Sequence, residues 1–222
     1  MIELKDLNYV IQDGMSKRTI LNKVNVTFQK GQLSTITGPS GSGKTSLLYA
    51  MGGLLGDASG NIMINGTDLN AIKLQKEKDK FRMRNISIIF QNFNLFPCLN
   101  VEDNILMPHY IMGSRKIINA SIEEYLDRMQ LGQIQKKMIS QLSGGEQQRV
   151  AIIRALLSDT NILLCDEPTA SLDEKNIDIL MDILQEKKGE MMIVIVTHDE
   201  RVYRHSTCRY HLINGELSGQ TS

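Results

Sequence analysis

The sequence predicts an α/β fold built on a mainly parallel β-sheet. Short apolar runs that favour strands alternate along the chain with helical patterns, and several of these runs are apolar at every position. Strands that are apolar on both faces occur in parallel sheets that helices cover on both sides. With 222 residues the chain is long enough for one such core with a sub-lobe, but too short for two standard domains and a linker.

The first half of the chain supplies four predicted strands and one helix. Runs rich in β-branched and apolar residues predict strands at residues 24–28, 33–37, 62–64 and 86–90. A helix is predicted over residues 44–51, because its apolar residues follow directly on a glycine-rich turn. The order of these elements is that of strand–helix–strand units in a parallel sheet.

The middle of the chain, from about residue 92 onward, has a helical pattern. Ser121 and Glu124 have the spacing of a capping box, which predicts the start of a helix over residues 121–131. A second helix is predicted over residues 146–157, directly after a pair of glycines.

The last third of the chain returns to strand patterns. Strands are predicted at residues 162–165, 192–196 and 209–213, with an amphipathic helix over residues 174–187 between the first two. We therefore expect a single domain, in which a helical lobe of about residues 92–157 is inserted into a catalytic core of about residues 1–91 and 158–222.

Composition excludes several classes of protein. Acidic and basic residues are equal at 25 each, so no basic field favours nucleic acid. The cysteines at 98, 165 and 208 lack metal-ligand spacing and indicate reduced thiols. The N-terminus has no secretion-signal pattern, and no apolar run approaches the roughly 20 residues that span a bilayer. We expect a protein without membrane helices that reaches a membrane only through partners.

A phosphate-binding loop is the clearest motif of the chain. Residues 38–46 read GPSGSGKTS and match GxxxxGK[ST] between a predicted strand and a predicted helix. Glycines allow the backbone to direct several N–H groups at phosphate oxygens, and the helix N-terminus adds its positive dipole end. Lys44 is expected to reach the β- and γ-phosphates, and the Thr45 hydroxyl to bind Mg²⁺. The predicted nucleotide contacts here are Gly38, Pro39, Ser40, Gly41, Ser42, Gly43, Lys44, Thr45 and Ser46.

An acidic pair follows the apolar run at residues 162–165. Asp166 and Glu167 come at the carboxyl end of a predicted strand, where α/β sheets present their ligands. We expect Asp166 to hold Mg²⁺ and Glu167 to polarise the attacking water as a general base. Taken alone, such a pair is more often a solvated strand end, and the phosphate loop upstream is what favours catalysis.

A second glycine motif, LSGGEQQR at residues 142–149, precedes the helix predicted over residues 146–157. This helix offers another N-terminus that attracts anions. The motif is not needed to hold a nucleotide in its own chain. Its presence together with the phosphate loop therefore predicts a nucleotide site that a second copy, or a related partner, completes.

Together these motifs resemble the ATP-binding subunit of ABC transporters over essentially the whole chain. The resemblance implies a P-loop NTPase of the ABC type, with an N-terminal antiparallel β subdomain beside the parallel core sheet. It implies that Ser143, Gly144 and Gly145 bind the γ-phosphate of ATP held by the opposite subunit. It also implies ATP and Mg²⁺ as the ligands of the site.

The smaller motifs follow in the order of that family. Gln91 resembles the glutamine that touches Mg²⁺ and the attacking water, residues 171–173 (SLD) resemble the loop that crosses the dimer interface, and His198 resembles the histidine at the γ-phosphate. The family stacks adenine on an aromatic residue, whose position falls here on Ile11. Tyr9 lies two residues earlier on the same predicted strand face, so the base contact is left open between these two.

The function that the resemblance implies is ATP hydrolysis that drives a separate membrane permease through ATP-dependent dimer closure. Residues 81–108 are most similar to subunits of lipoprotein-release, macrolide-export and antimicrobial-peptide-resistance systems, which implies export or extraction and a position on the inner face of the cell membrane. A soluble ABC ATPase acting on a macromolecular assembly and a non-hydrolysing P-loop module are the alternatives. The apolar residues 93–99 either pack inside the lobe or form a partner site.

Overall fold

The computed structural model describes residues 1–14, 16–113 and 119–221 of the chain, and it contains two β-sheets within these ranges. The smaller sheet has the strand order β2-β1-β4-β5 and its neighbouring strands are antiparallel. Its strands are β1 (Ile2–Asp13), β2 (Ser16–Phe28), β4 (Ser59–Ile64) and β5 (Thr67–Asp68).

The larger sheet has the order β10-β9-β3-β8-β7-β6, and all of its neighbouring strands are parallel except β9 and β10. Its strands are β3 (Leu33–Thr37), β6 (Ile86–Ile89), β7 (Ile162–Asp166), β8 (Met192–Val196), β9 (Cys208–Ile213) and β10 (Glu216–Thr221). Because β3, β6, β7 and β8 run in the same direction, their carboxyl ends meet at one edge of the sheet.

Helices lie on both faces of the larger sheet. They are α1 (Lys44–Met51), α2 (Gln75–Asn85), α3 (Val101–Met112), α4 (Asn119–Arg128), α5 (Gly144–Leu156), α6 (Glu174–Lys187) and α7 (Glu200–Arg204). Leu163 and Cys165 of β7 pack with α3, α4, α5 and α6, whereas Ile162 and Leu164 pack with α1 and the smaller sheet. The alternation of β7 side chains between two buried clusters explains why the run is apolar throughout.

The structure corrects the expected start of one helix. Ser121 does not cap a helix as predicted, because α4 already includes Asn119 and Ser121 lies within it. Sequence patterns also gave no sign of α2, whose residues are all at least partly exposed. None of the helices among the described residues combines the length and the apolar character that crossing a membrane requires.

Candidate active site

The loop between β3 and α1 forms a concave backbone turn. Gly38 has φ 149° and a side chain there would collide with the carbonyl oxygen of Leu212. Gly43 is the N-cap of α1 with φ 101°, and a Cβ there would lie 2.8 Å from the carbonyl oxygen of Ile20. The turn therefore requires glycine at these two positions because of both backbone angle and space.

The N-terminus of α1 is left open by this turn. No side chain caps the helix, and no hydrogen bond among the described residues uses the N–H groups of Lys44, Thr45 or Ser46. The Lys44 ammonium donates hydrogen bonds to the carbonyl oxygens of Gly38 (2.8 Å) and Pro39 (3.0 Å). Unpaired N–H groups and a lysine at one helix N-terminus make an anion site.

Asp166, the last residue of β7, is fully buried beside this loop. Its Oδ1 accepts a hydrogen bond of 3.1 Å from the Thr45 hydroxyl, and its Oδ2 is buried without a hydrogen-bond partner among the described residues. Burial raises the pKa of Asp166 and the charge of Glu167 adds to the rise, although the Thr45 hydrogen bond opposes it. The pKa of Tyr49 is also raised, first by burial and then by the charge of Asp166.

Glu167 is held in an uncommon backbone conformation. Its φ is 50°, in the left-handed region, and its N–H donates to the carbonyl oxygen of Val196 at 2.9 Å. Its Oε1 lies 3.0 Å from His198 Nδ1, whereas its Oε2 is buried without a partner among the described residues. A strained residue with a hydrogen bond to the next strand end and a free carboxylate oxygen is typical of a functional position.

The predicted phosphate-site residues meet around a cavity of about 350 Å³. Lys44, Thr45, Gln91 and Glu167 line it, together with several other residues of the loop. A neighbouring cavity of about 300 Å³ is lined by Pro39, Ser40, Gly41 and Ser42 and by the turn between β9 and β10. Four strand ends and one glycine-rich turn thus converge on one place.

Two residues that sequence reasoning missed border both cavities. Arg18 and Ile20 of β2 line each of them, and the Arg18 side chain makes no hydrogen bond or ion pair among the described residues. Ile20 is skipped in the strand register, which passes from Tyr9 opposite Leu21 to Val10 opposite Thr19. Such a bulge has no signature in this sequence.

The two residues considered for the adenine contact lie on strand β1, next to β2. Tyr9 packs against the buried cluster under the smaller sheet, and Ile11 pairs with Arg18 in the β1–β2 ladder. Neither Tyr9 nor Ile11 lines either cavity beside the phosphate loop. Arg18 and Ile20 of β2 border both cavities, and Thr19 of the same strand borders the second one.

The second glycine motif caps its own helix. Ser143 is the N-cap of α5, and its hydroxyl accepts from Glu146 N–H at 3.3 Å. Glu146 Oε2 accepts in turn from the Ser143 N–H (2.7 Å) and hydroxyl (2.8 Å), and these bonds lower the pKa of Glu146. A Cβ at Gly145 would lie 3.0 Å from the Ser171 carbonyl oxygen, whereas one at Gly144 would meet nothing within 4 Å. None of the cavity-lining residues beside the phosphate loop comes from this motif.

Gln148 joins α5 to the turn after β7, and its role had no clear signal in the sequence. It is almost fully buried. Its Nε2 donates to the carbonyl oxygen of Glu167 at 3.3 Å, and its Oε1 accepts from the N–H of Ser171 at 2.8 Å. The glutamine therefore fixes the turn that carries Glu167 relative to the helix that begins at the second glycine motif.

The chain is similar to known proteins over most of its length. The profile of the family described as "ABC transporter" matches residues 21–170, about two thirds of the chain. The chain belongs to the ABC transporter family. It is 37% identical to the lipoprotein-releasing system ATP-binding protein LolD 1 of Chlorobium chlorochromatii over 206 residues, covering 91% of this chain and 83% of that protein. With the ABC transporter ATP-binding protein YtrE of Bacillus subtilis the identity is 34%, covering 99% of this chain and 97% of that protein.

A solved ABC structure agrees along the whole chain. The dimeric post-hydrolysis state of the ATP-binding cassette MJ0796 bound to ADP and Pi superposes with a TM-score of 0.91 at 32% identity, covering 100% of this chain and 98% of that one. The predictions of an ABC-type α/β fold and of an ATP-binding, ATP-hydrolysing transporter subunit are thereby confirmed. The partners of such a subunit are ATP, a second cassette and a membrane permease.

This ABC ATPase also has an apolar groove away from the phosphate loop. It measures about 410 Å³ and lies between β6 and α3, where Phe96 and Ile111 reach into it. The segment of residues 93–99 divides between the two expected roles, since Leu95 packs against the buried core whereas Phe96 is 44% exposed and lines the groove. The buried Asn104 fixes the backbone here, accepting from Phe96 N–H (2.7 Å) and donating to the Phe96 carbonyl oxygen (3.0 Å).

Proposed function

We propose that this chain hydrolyses Mg-ATP at the site formed by Lys44, Asp166 and Glu167, and that closure of two cassettes drives a separate permease for export or extraction. The observation that carries the proposal is the Glu167 carboxylate, whose Oε1 lies 3.0 Å from His198 and whose buried Oε2 is unpaired beside the phosphate loop. A carboxylate oxygen in that state is suited to accept a proton from water.

The loop residues would bind and orient the phosphates. The free N–H groups at the start of α1 donate to phosphate oxygens, and Lys44 exchanges its two carbonyl partners for the β- and γ-phosphates. The adjoining cavity would receive the rest of the nucleotide, with Arg18 and Ile20 beside it and Ile11 behind Arg18. The cation of Arg18 is placed to contribute to ATP binding there.

The residues around Asp166 fit a magnesium ion. Oxygen ligands suit Mg²⁺, and the buried Oδ2 of Asp166 lacks a partner next to the Thr45 hydroxyl. Thr45, Asp166 and Gln91 would hold the ion, which when bound neutralises charge on the phosphates. The raised pKa of Asp166 reflects the cost of an ionised carboxylate there, and a cation would remove that cost.

Hydrolysis then requires one proton transfer, from the attacking water to a residue of this chain. Glu167 Oε2 takes a proton from a water as the water oxygen bonds to the γ-phosphorus and the bond to the ADP oxygen breaks. His198 holds Oε1, and Gln148 and Val196 hold the Glu167 backbone, so the carboxylate is oriented before the substrate arrives. The products are ADP and inorganic phosphate.

A second cassette would complete the site. Ser143, Gly144 and Gly145 stand at a helix N-terminus that takes no part in the cavities of their own chain. In a closed dimer this N-terminus would meet the γ-phosphate bound to the opposite subunit, supplied by another copy of this chain or by a related cassette.

Closure of the two cassettes would drive a conformational change in a membrane permease. Relatives include several lipoprotein-releasing ATP-binding proteins at 33–38% identity, and this supports a permease of an export or extraction system. The apolar groove beside Phe96 is the proposed docking site, because it adjoins the segment that follows Gln91. Residues 92–157 would rotate as a lobe when Gln91 follows the nucleotide, and the chain would lie on the cytoplasmic face of the membrane.

The test is the substitution Glu167→Gln, with Glu123→Gln on the exposed face of α4 as the matched control. Glu167→Gln should bind ATP as the wild type does but hydrolyse it about 10² to 10⁴ times more slowly, because the general base is lost. It should also accumulate as a dimer with Mg-ATP in size-exclusion chromatography with light scattering. Wild-type turnover in Glu167→Gln would refute the assignment of the base.

A further inference from the structure

The two cavities beside the phosphate loop have no aromatic side chain among the described residues that line them. The charged residues of the first cavity are Arg18, Lys44 and Glu167, and Arg18 is the charged residue of the second. The remaining lining residues are glycine, proline and small polar or aliphatic residues. Stacking on an aromatic side chain is a main source of affinity for a nucleobase. The base of a bound nucleotide therefore finds few strong contacts in this part of the chain.

Arg18 reaches from β2 to the phosphate loop. Its Nη2 lies 3.8 Å from the position that a Cβ on Gly41 would occupy. Gly41 belongs to the glycine-rich turn between β3 and α1, where the phosphates are expected to bind, and its φ is 75°. The guanidinium is therefore within reach of a phosphate that this turn holds.

The Arg18 side chain is free to meet a ligand. It is exposed, and it makes no hydrogen bond or ion pair among the described residues. Its partner in the β1–β2 ladder is Ile11, whose side chain lies on the same face of the sheet and offers no charge to compete for the guanidinium. A guanidinium presents a planar fork of N–H donors that matches two phosphate oxygens.

Ser42 supplies a second unused polar group beside Arg18. The residue is 7% exposed, and its hydroxyl oxygen is buried without a hydrogen-bond partner among the described residues. Ser42 and Arg18 line the same cavity. A buried hydroxyl that lacks a partner is costly, and an oxygen of a polyphosphate would accept its hydrogen bond. Two independent groups thus favour an anionic, oxygen-rich ligand at this place.

We infer that Arg18 binds the triphosphate and that the site consequently accepts nucleoside triphosphates with little selection for the base. This inference rests on the proposed function and names the substrate class of the same site. All nucleoside triphosphates share their phosphates, so contacts from Arg18, Ser42 and Lys44 do not discriminate between them. Ile20 lines both cavities and offers apolar contact to any base, but its side chain has no hydrogen bond with which to distinguish one base from another.

Calorimetric titrations of the full chain with Mg²⁺ test the inference. The ligands are the β,γ-imido analogues of ATP and GTP, which are not hydrolysed, and inorganic tripolyphosphate. The two nucleotide analogues should have dissociation constants within about threefold of each other, because the base contributes little. Tripolyphosphate should bind no more than about tenfold more weakly than either of them.

Two variants and a control locate the contact. Arg18→Ala should weaken all three ligands by a similar factor of about ten, because an exposed charged hydrogen bond to phosphate is lost. Arg18→Lys should recover part of this affinity, since it keeps the charge without the planar fork. Lys17→Ala removes the same charge from the neighbouring exposed residue, which points to the opposite face of β2, and should leave all three affinities unchanged.

Two results would overturn the inference while leaving the proposed function intact. One is a preference of more than about tenfold for one base. The other is an Arg18→Ala variant that binds tripolyphosphate as the wild type does, which would assign Arg18 to the nucleoside instead. Because these titrations involve no hydrolysis, a failed Glu167→Gln experiment would refute the proposed general base and leave the affinities to stand. No binding of any of the three ligands would refute both.

Discussion

Two helices of this molecule begin at glycine motifs, and they differ in capping: α5 has a side-chain cap, whereas α1 has none. At α1 the N-cap is Gly43, no side chain caps the helix, and Lys44 supplies a positive charge. At α5 the N-cap Ser143 and the carboxylate of Glu146 satisfy each other, which places a negative charge at the helix start. The first is prepared for an anion, and the second already holds one of its own.

The difference teaches how one nucleotide is shared by two chains. An open N-terminus with a lysine has the means to bind phosphate within its own chain. A self-capped N-terminus has a lower intrinsic attraction for anions, so it should engage ATP only when the opposite subunit presents the γ-phosphate already bound. Nucleotide binding and dimer closure then become separate steps that substitutions at the two helices can separate.

The largest effects are expected from two substitutions, one that impairs nucleotide binding and one that impairs dimer closure. Lys44→Ala should weaken ATP binding to the monomer about 10- to 100-fold, because a hydrogen bond to a charged group contributes about 1.5 to 3 kcal/mol. Ser143→Ala should leave the affinity of the monomer unchanged and abolish the ATP-dependent dimer. Titration with a fluorescent ATP analogue measures the first, and sedimentation equilibrium the second.

The control for this pair is Ser140→Ala, an exposed serine outside α5. Melting curves are needed as well, because loss of the N-cap costs about 1 kcal/mol. Equal loss of monomer affinity in Lys44→Ala and Ser143→Ala would contradict the distinction between the two helices.

Glycine-to-alanine substitutions in the two motifs should have different effects on the free energy of unfolding. Gly43→Ala puts a methyl group against the Ile20 carbonyl oxygen at a φ that side chains avoid, so it should cost about 1 to 3 kcal/mol. At roughly 2 to 4 °C per kcal/mol this lowers the melting temperature measurably. Gly144→Ala meets no neighbour and should melt at or slightly above the wild type, yet its methyl group should obstruct dimerisation with ATP.

The buried carboxylate beside α1 predicts a pH effect. The raised pKa of Asp166 means that the folded chain binds this proton more tightly than the unfolded chain. Stability should therefore fall as pH rises from the ordinary aspartate pKa of about 3.9 through the raised value, and the penalty is complete above it. Asp166→Asn should raise the melting temperature at neutral pH in EDTA, with a gain that shrinks toward acid pH.

Mg-ATP should reverse the expected difference in melting temperature between the wild type and Asp166→Asn. Mg-ATP should stabilise the wild type in thermal melts but should stabilise Asp166→Asn much less, because the variant lacks the carboxylate that would hold the ion. A variant that melts below the wild type in EDTA would show that the ionised Asp166 does not carry a burial penalty.

The smallest expected effect concerns the self-capped helix. Glu146→Gln keeps an acceptor for Ser143 but removes a charge, so the N-terminus should attract the opposite γ-phosphate more strongly, by about 0.3 to 1 kcal/mol. In the Glu167→Gln background, the dimer dissociation constant with ATP should fall about two- to fivefold. A weaker dimer would indicate that the carboxylate of Glu146 positions Ser143 for the contact.

Much of the fold was predictable because the buried strands carry a simple pattern. Residues 162–165 and 192–196 are apolar on both faces and form most of β7 and all of β8 in the parallel core. Helix α2 escaped prediction because it is polar all round and buries nothing, so it lacks the period that identifies helices. The capping box at Ser121 was wrong, because two residues at the right spacing do not determine where a helix starts.

The residues of the candidate site also differ in whether the sequence could predict them. Motif residues such as Lys44, Asp166 and Glu167 were found because their chemistry needs a fixed order in the chain. The sequence has no local pattern that identifies Arg18, Gln148 or Arg154. Arg18 lies beside a β-bulge. The side-chain hydrogen bonds of Gln148 and Arg154 join residues that are 19 to 61 positions apart in the chain. The role of Tyr9 and Ile11 remains a prediction, with Arg18 and Ile20 nearer the loop.

The buried amide of Gln148 has a consequence for how this chain can vary. Its two partners, the Glu167 carbonyl oxygen and the Ser171 N–H, are main-chain atoms. The two hydrogen bonds of Gln148 therefore depend on the number of residues between these atoms, and they involve none of the intervening side chains. Exchange of the exposed Ala170 should be tolerated, whereas insertion or deletion of one residue between these atoms would break the bridge, so the bridge constrains the number of residues in this turn.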